Sequence, residues 1–278
     1  MTLKYLKYYI KNNLLHPSML GWGMGFSFLW AALGSFIFGS EFSKALGGPP
    51  ADHYLAVLYY TAGWFSSISL YSFSSLAVGL TLSLFYSTAS VAYALKFTKL
   101  TPTRYHVCNI IGAITMCLML SLFNLASVYG LYSYSFQVNL YPRNVPFVMI
   151  SSIFAGTFFY LLSMFLTLLC IVIGRPKLVM TIAYVPMIFA IIFSYVQLYS
   201  YFTWIETIFY LSPFSNIASL LSYGYTDAPI PITFTNPDAG YMSVDACLAS
   251  LSCWLMVLAL IDIYLIKEVR EVSPYEFF

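Results

Sequence analysis

The sequence predicts an all-α polytopic membrane protein with six transmembrane helices, and three observations carry that expectation. Hydrophobic residues make up 60% of the 278 and charged residues only 8%, against about 25% charged in an ordinary soluble domain. Mean hydropathy is +0.81. The apolar runs are continuous over roughly 20 residues or more, whereas membrane barrel strands alternate over about ten. Inside a bilayer every backbone polar group must be paired internally, which leaves helices or a closed barrel, and the continuous runs select helices.

In chain order, residues 1–15 form an interfacial helix: Leu3, Leu6, Ile10 and Leu14 fall on one stripe, with Lys4, Lys7 and Lys11 on the adjacent one. The lysine stems lie along apolar surface while the ammonium groups reach phosphate headgroups; the plainer reading is a basic tail that sets topology. No small-residue cleavage site follows the first apolar run, so a cleavable signal is not expected. The first span runs Pro17–Gly39, with Gly21, Gly23 and Gly25 as a small-residue stripe facing a neighbouring helix or a partner protomer. The second, His53–Phe85, is longer than a hydrocarbon core of about 30 Å requires, so it tilts or extends beyond the bilayer. It contains the hydroxyl-rich stretch Ser66–Ser75, suited to close helix packing or to cargo contact.

A polar interruption, Tyr93–Thr103, separates the second span from the third (Tyr105–Tyr132) and carries Lys96 and Lys99, with Arg104 just past its end. Residues 86–97, which include Tyr86 and Ala89, are expected as a short helix lying along the membrane boundary. Thr101 and Pro102 make a helix start, a hydroxyl to cap free amides and a proline at the first helical position. The remaining spans are Val145–Gly174, Leu178–Phe202 and Ser243–Ile266. Between the last two, residues 204–242 form a connection of roughly 40 residues, too long to be structureless in a compact protein. Its first part, IETIFYLSPFSNIASLLSYGY, is apolar enough to dip into the outer leaflet; Pro213 divides it into two short helices, and Ser212 caps or turns the chain there. Such re-entrant backbone survives only under a cover of protein or beside a watery cavity. The chain is therefore expected to be one transmembrane domain over residues 1–278.

Basic residues are retained on the cytoplasmic side. With both termini inside, Lys4, Lys7, Lys11, Lys96, Lys99, Arg104, Arg175, Lys177, Lys267 and Arg270 are cytoplasmic, ten of the twelve Lys and Arg residues. Lys44 and Arg143 remain outside, among Glu41, Asp52, Glu206, Asp227, Asp238 and Asp245. A multi-pass protein of the cell membrane with both termini cytoplasmic is expected.

Catalytic chemistry is sparse. There is no GxxxxGK[ST] phosphate loop. His16, His53 and His106 lie at span ends, where capping suits them better than haem ligation. The five cysteines show no CxxC spacing and read as buried packing residues; Cys247 and Cys253, six residues apart on one helix, point in different directions. Asp262 is the one candidate for an ionisable residue within the depth of the membrane; it lies about a turn from Lys267 and reads as an interfacial or snorkelling group more readily than as a proton relay. No catalytic residue, metal ligand, cofactor or nucleic-acid partner is expected, and no internal repeat of the kind found in secondary carriers is visible.

The order of these features, a basic amphipathic helix, a short polar segment ending in LTPTRYH, and an outer YLSPFSNIASLL before the last span, resembles the permeases of ATP-binding-cassette exporters of the ABC-2 type along essentially the whole chain. Thr101, Pro102 and Arg104 fit the family's Thr-Pro-polar element and Pro213 its proline-containing helix pair, while residues 86–95 depart in lacking Glu and Arg. The resemblance implies a membrane subunit that pairs with a second permease chain, identical or related, and with separate cytoplasmic ATPase subunits that hold ATP and Mg²⁺. It implies a coupling interface of Tyr86, Ala89, Tyr93, Lys96, Lys99, Thr101, Pro102 and Arg104, contacts from the Lys4, Lys7 and Lys11 helix, and an outer segment around Ser212, Pro213 and Asn216. The cargo would be hydrophobic or amphipathic: a lipid, peptide, drug or glycan-linked molecule. The alternatives are a secondary carrier or channel, or a noncatalytic subunit of a larger membrane complex.

Overall fold

The computed structural model describes residues 7, 10–11, 19–97, 102–199, 205–232 and 240–268. Six of its helices are long and apolar enough to cross a membrane, which makes the chain an all-α multi-pass membrane protein.

The first helix, α1, is continuous but changes pitch: π turns over Met19–Gly25, α turns over Phe26–Ala32, π turns over Leu33–Phe38 and α turns over Gly39–Ala45. Switching between ladders leaves carbonyls without a well-aligned intrahelical donor, and hydroxyls from neighbouring helices supply them. Ser72 Oγ donates to Gly23 O at 2.9 Å, Tyr60 Oη to Gly34 O at 2.9 Å, and Ser135 Oγ to Ser35 O at 2.7 Å. Gly34 allows no side chain, since a Cβ there would stand 2.1 Å from Tyr132 Oη. Of the glycine stripe, Gly23 is buried and Gly21 and Gly25 are exposed on the surface of the single chain; toward the neighbouring helices the stripe acts through the Gly23 carbonyl.

Helix α2 (Tyr54–Phe97) has 44 residues and α3 (Pro102–Phe136) has 35, about 66 and 52 Å at 1.5 Å per residue. Both exceed a hydrocarbon core of about 30 Å. Residues 86–97 are the last turns of α2 and not a separate helix along the boundary, which corrects that expectation. From Leu80 onward the stretch has no Gly or Pro and is rich in Ala and Leu, so nothing in it stops propagation of the helix. As predicted, α3 begins at Pro102; Thr101 lies outside the described residues.

Helix α4 (Val145–Val172) is capped by Asn144, whose side chain accepts from Phe147 N at 3.1 Å. A 3₁₀ turn at Pro176–Leu178, then α5 (Val179–Ile182) and α6 (Val185–Tyr199), make up the fifth span. Two short helices, α7 (Ile205–Leu211) and α8 (Pro213–Thr226), a two-residue antiparallel ribbon with Ile230 opposite Met242, and α9 (Val244–Glu268) complete the chain.

At the centre stands α4, packed on α2, α3, α8 and α9. Gly156 lets α3 approach it: a Cβ there would be 3.0 Å from Ile114 Cα. Hydroxyls join the helices, Ser163 Oγ donating to Ala77 O at 3.0 Å, Ser152 Oγ to Ser121 Oγ at 2.9 Å, and Asn124 Nδ2 to Ser72 Oγ at 3.0 Å. Ser66, Ser69, Ser72, Ser74 and Ser75 are all buried and serve helix packing, while Ser67 is half-buried. One end of the bundle gathers α7, α8, the ribbon and the turns preceding α2 and α4, and is termed the hairpin end. The opposite, basic end gathers the end of α2, the start of α3, Arg175, Lys177 and the end of α9.

Candidate functional site

At the hairpin end Pro213 ends one helix and starts the next. Its missing amide, and the β-region Ser212 before it, leave the last carbonyls of α7 without helical donors. Side chains take their place. Asn216 Nδ2 donates to Tyr210 O at 3.0 Å and to Ser250 Oγ at 3.0 Å, Ser250 Oγ also donates to Tyr210 O, and Trp254 Nε1 donates to Leu211 O at 2.7 Å. Ser212 Oγ accepts from Ser215 N at 3.4 Å at the start of α8. Nearly every residue of α8 is buried, against α2, α4, α6 and α9. Irregular backbone is thus covered by protein, the condition for its survival in an apolar surround.

The far end of α8 is tied to α4. Arg143 N and Asn144 N donate to Tyr225 O and Gly224 O at 2.9 and 3.0 Å, and Asn144 Nδ2 donates to Asp227 Oδ1 at 3.1 Å. Asp227 closes the helix in the left-handed region, φ 51°. Tyr225 Oη donates to Leu140 O at 2.8 Å, and burial pushes its phenol pKa up. The two basic residues at this end are both engaged, Lys44 with Glu41 at 2.7 Å and Arg143 over the Tyr54 ring at 5.7 Å.

Between α1, α2 and α6 lies a part-open cavity of about 540 Å³. Trp30, Phe38 and Phe42 enter from α1, Tyr59, Tyr60, Trp64 and Tyr71 from α2, and Tyr195 from α6, with Ser67 and no charged side chain. The rings brace one another: Phe42 stacks on Tyr60 at 4.3 Å, Phe38 on Trp64 at 5.6 Å, and Trp30 on Trp64 at 6.2 Å. Size and lining suit a neutral, apolar or amphipathic molecule. From composition alone the aromatics read as interface belts or as cargo faces; the signal that separates the two is the spacing of Ala56, Tyr60, Gly63, Ser67 and Tyr71 along one face of α2, broken by two small residues.

Of the other expected site residues, Tyr86 is exposed (57%), and Ala89, Tyr93 and Lys96 follow it on α2 at spacings of three, four and three, along one line of the helix. Pro102 and Arg104 occupy the first turn of α3. Lys99 and Thr101, like Lys4, lie outside the described residues. Lys7 and Lys11 are helical and exposed, with Ile10 half-buried between them.

Asp262, expected as an interfacial or snorkelling group, is 3% exposed, and among the described residues neither carboxylate oxygen has a hydrogen-bond partner. The sequence signal missed was its register: it shares a stripe with Cys247, Leu251, Leu258 and Leu265, the residues through which α9 is buried. Cys108, Cys117, Cys170 and Cys247 are buried free thiols and Cys253 is exposed. His53 precedes the first turn of α2, where its carbonyl accepts from Val57 N. Among the described residues no group of His, Cys, Asp and Glu is placed to hold a metal ion.

No protein-family model matches the chain, and neither the curated proteins nor the solved structures contain a match to it.

Proposed function

We propose that the chain is the membrane subunit of an ATP-binding-cassette exporter of the ABC-2 type, working with a second permease chain and with cytoplasmic ATPase subunits, and moving a hydrophobic or amphipathic molecule across the membrane. The observation that carries the reading is that one unbroken helix, α2, both walls the aromatic cavity and forms the long extension at the basic end. A partner pressing on Tyr86, Ala89, Tyr93 and Lys96, with Lys99 and Arg104 supplying charge, acts directly on the helix that shapes the cavity. Nucleotide chemistry belongs to the partner; this chain receives the push and changes the opening between α1 and α6. The α7–α8 pair, anchored by the buried α8, forms the outer stop.

The test is purification of the tagged chain from its native cells in mild detergent, with mass spectrometry of what accompanies it. An ATPase subunit that is lost on Lys99→Glu, with the membrane domain still folded, is the expected result. The chain recovered without any ATPase, or retention of full ATPase association after Lys99→Glu and after bulky substitutions at Ala89 and Ala94, would overturn the coupling assignment. One observation favours the carrier alternative, the burial of Asp262 inside a span, since proton-linked carriers keep ionisable groups at such positions.

A further inference from the structure

We propose that Asp262 is a proton-binding site at the basic end of the bundle, holding its proton while α9 is docked on α4 and releasing it to water when α9 moves away. The geometry is unusual for an acid. Both oxygens are buried and, among the described residues, unpartnered, and Leu258 and Leu265 lie on the same stripe a turn to either side.

Among the described residues, the helices packed on α9 carry no Lys or Arg; Arg175 and Lys177, at the same end of the bundle, follow α4. Along Val145–Val172, α4 has no Asp, Glu, Lys, Arg or His; its titratable groups are Tyr160 and Cys170. Along Pro213–Thr226, α8 has only Tyr223 and Tyr225, and α7 has Glu206 and Tyr210, all at the hairpin end. Asp262 stands 18 residues beyond Val244, about 27 Å along the helix, out of their reach. On α9 itself, Asp245 is at the far end, Tyr264 is exposed, and Lys267 and Glu268 follow in the next turn.

An ionised carboxylate buried without a partner is costly enough to exclude that state from the docked geometry, whereas the neutral acid forgoes only a hydrogen bond. Proton release and undocking are therefore linked. Among the described residues of α9 only five are buried, and Asp262 is one of them, so α9 is the span this carboxyl can control. Proton binding favours the docked helix; a rise in pH favours the released one.

The full chain in detergent is treated with dicyclohexylcarbodiimide, a lipid-soluble reagent that adds to a protonated carboxyl as a stable acylurea, and adducts are mapped by peptide mass spectrometry. A label at Asp262 that fades as pH rises, is absent with a water-soluble carbodiimide, and is lost in Asp262→Asn is expected. The amide reproduces the neutral acid, so that variant keeps the elution profile of the parent. As a second readout, maleimide labelling of Leu258→Cys, divided by its rate in the Asp262→Asn background, should rise with pH. No adduct, equal labelling by the water-soluble reagent, or a flat ratio would overturn the proposal. Neither readout involves an ATPase or cargo, so this proposal and the export reading fail separately.

Discussion

Removing both donors that serve the Tyr210 carbonyl is expected to cost more than the sum of the single losses. That carbonyl accepts from Asn216 Nδ2 and from Ser250 Oγ, which are themselves hydrogen-bonded. Asn216→Leu removes two hydrogen bonds, each about 0.6 kcal/mol between membrane-embedded helices. It also removes a buried Oδ1 that has no partner among the described residues, a relief of about 1–3 kcal/mol. The net effect of the single variant should therefore lie between about 0.2 kcal/mol destabilising and about 1.8 kcal/mol stabilising. Ser250→Ala loses a donor and an acceptor, about 1 kcal/mol, while Tyr210 O keeps Asn216. Only the double variant orphans the carbonyl, adding about 1–3 kcal/mol; the shared Asn216–Ser250 bond, counted in both singles, subtracts about 0.6 kcal/mol. The cycle should yield a destabilising coupling of about 0.5–2.5 kcal/mol, read from SDS unfolding titrations in mixed micelles. Simple additivity would refute the argument that the Pro213 break is held closed by side-chain donors.

Other outcomes follow from the same packing. Gly156→Val places a branched side chain where even a Cβ meets Ile114 Cα at 3.0 Å, so α3 and α4 must separate; a loss of about 1–3 kcal/mol is expected by the same titration. Asn144→Ala removes both the α4 cap and the bridge to Asp227, at about 1 kcal/mol, with Asn144→Ser restoring the cap alone. Ala56→Trp, at an exposed position of the cavity wall, should abolish binding of an apolar fluorescent probe while the thermal midpoint stays within about 2 °C of the parent.

The spans were legible because transmembrane length and apolarity are properties of a segment alone. The Pro213 break and the Ser212 cap were legible for the same reason, being local backbone chemistry. What the sequence concealed depends on which face of a helix meets a neighbour. Asp262 read as interfacial because its distance from Lys267 is a linear fact, whereas its burial follows from the stripe it shares with Leu258 and Leu265. The pitch changes in α1 were hidden likewise, since they persist only because Ser72, Tyr60 and Ser135 arrive from other helices. Residues 86–97 were misjudged by charge: Lys96 suggests the end of a span, but an alanine-rich helix need not stop where a span does.

That last point supplies the sharpest test of how force would travel. If α2 is a lever, its tip and its cavity wall must be joined by intact helix, and a break between them should separate partner binding from transport. Thr88→Pro is placed for this purpose, beyond the span Tyr54–Tyr86 and short of Lys96. Proline there removes one backbone hydrogen bond and clashes with the preceding turn, a local cost of about 3 kcal/mol. Packing on α1, α3, α4, α6 and α8 holds the rest of α2 in place, so the cost falls on the extension. The variant should fold and retain its ATPase in pull-down, yet transport no cargo in inverted vesicles, whereas Lys99→Glu should lose the ATPase itself. Thr88→Pro vesicles that transport at the parental rate with the ATPase bound would show that the motion bypasses α2.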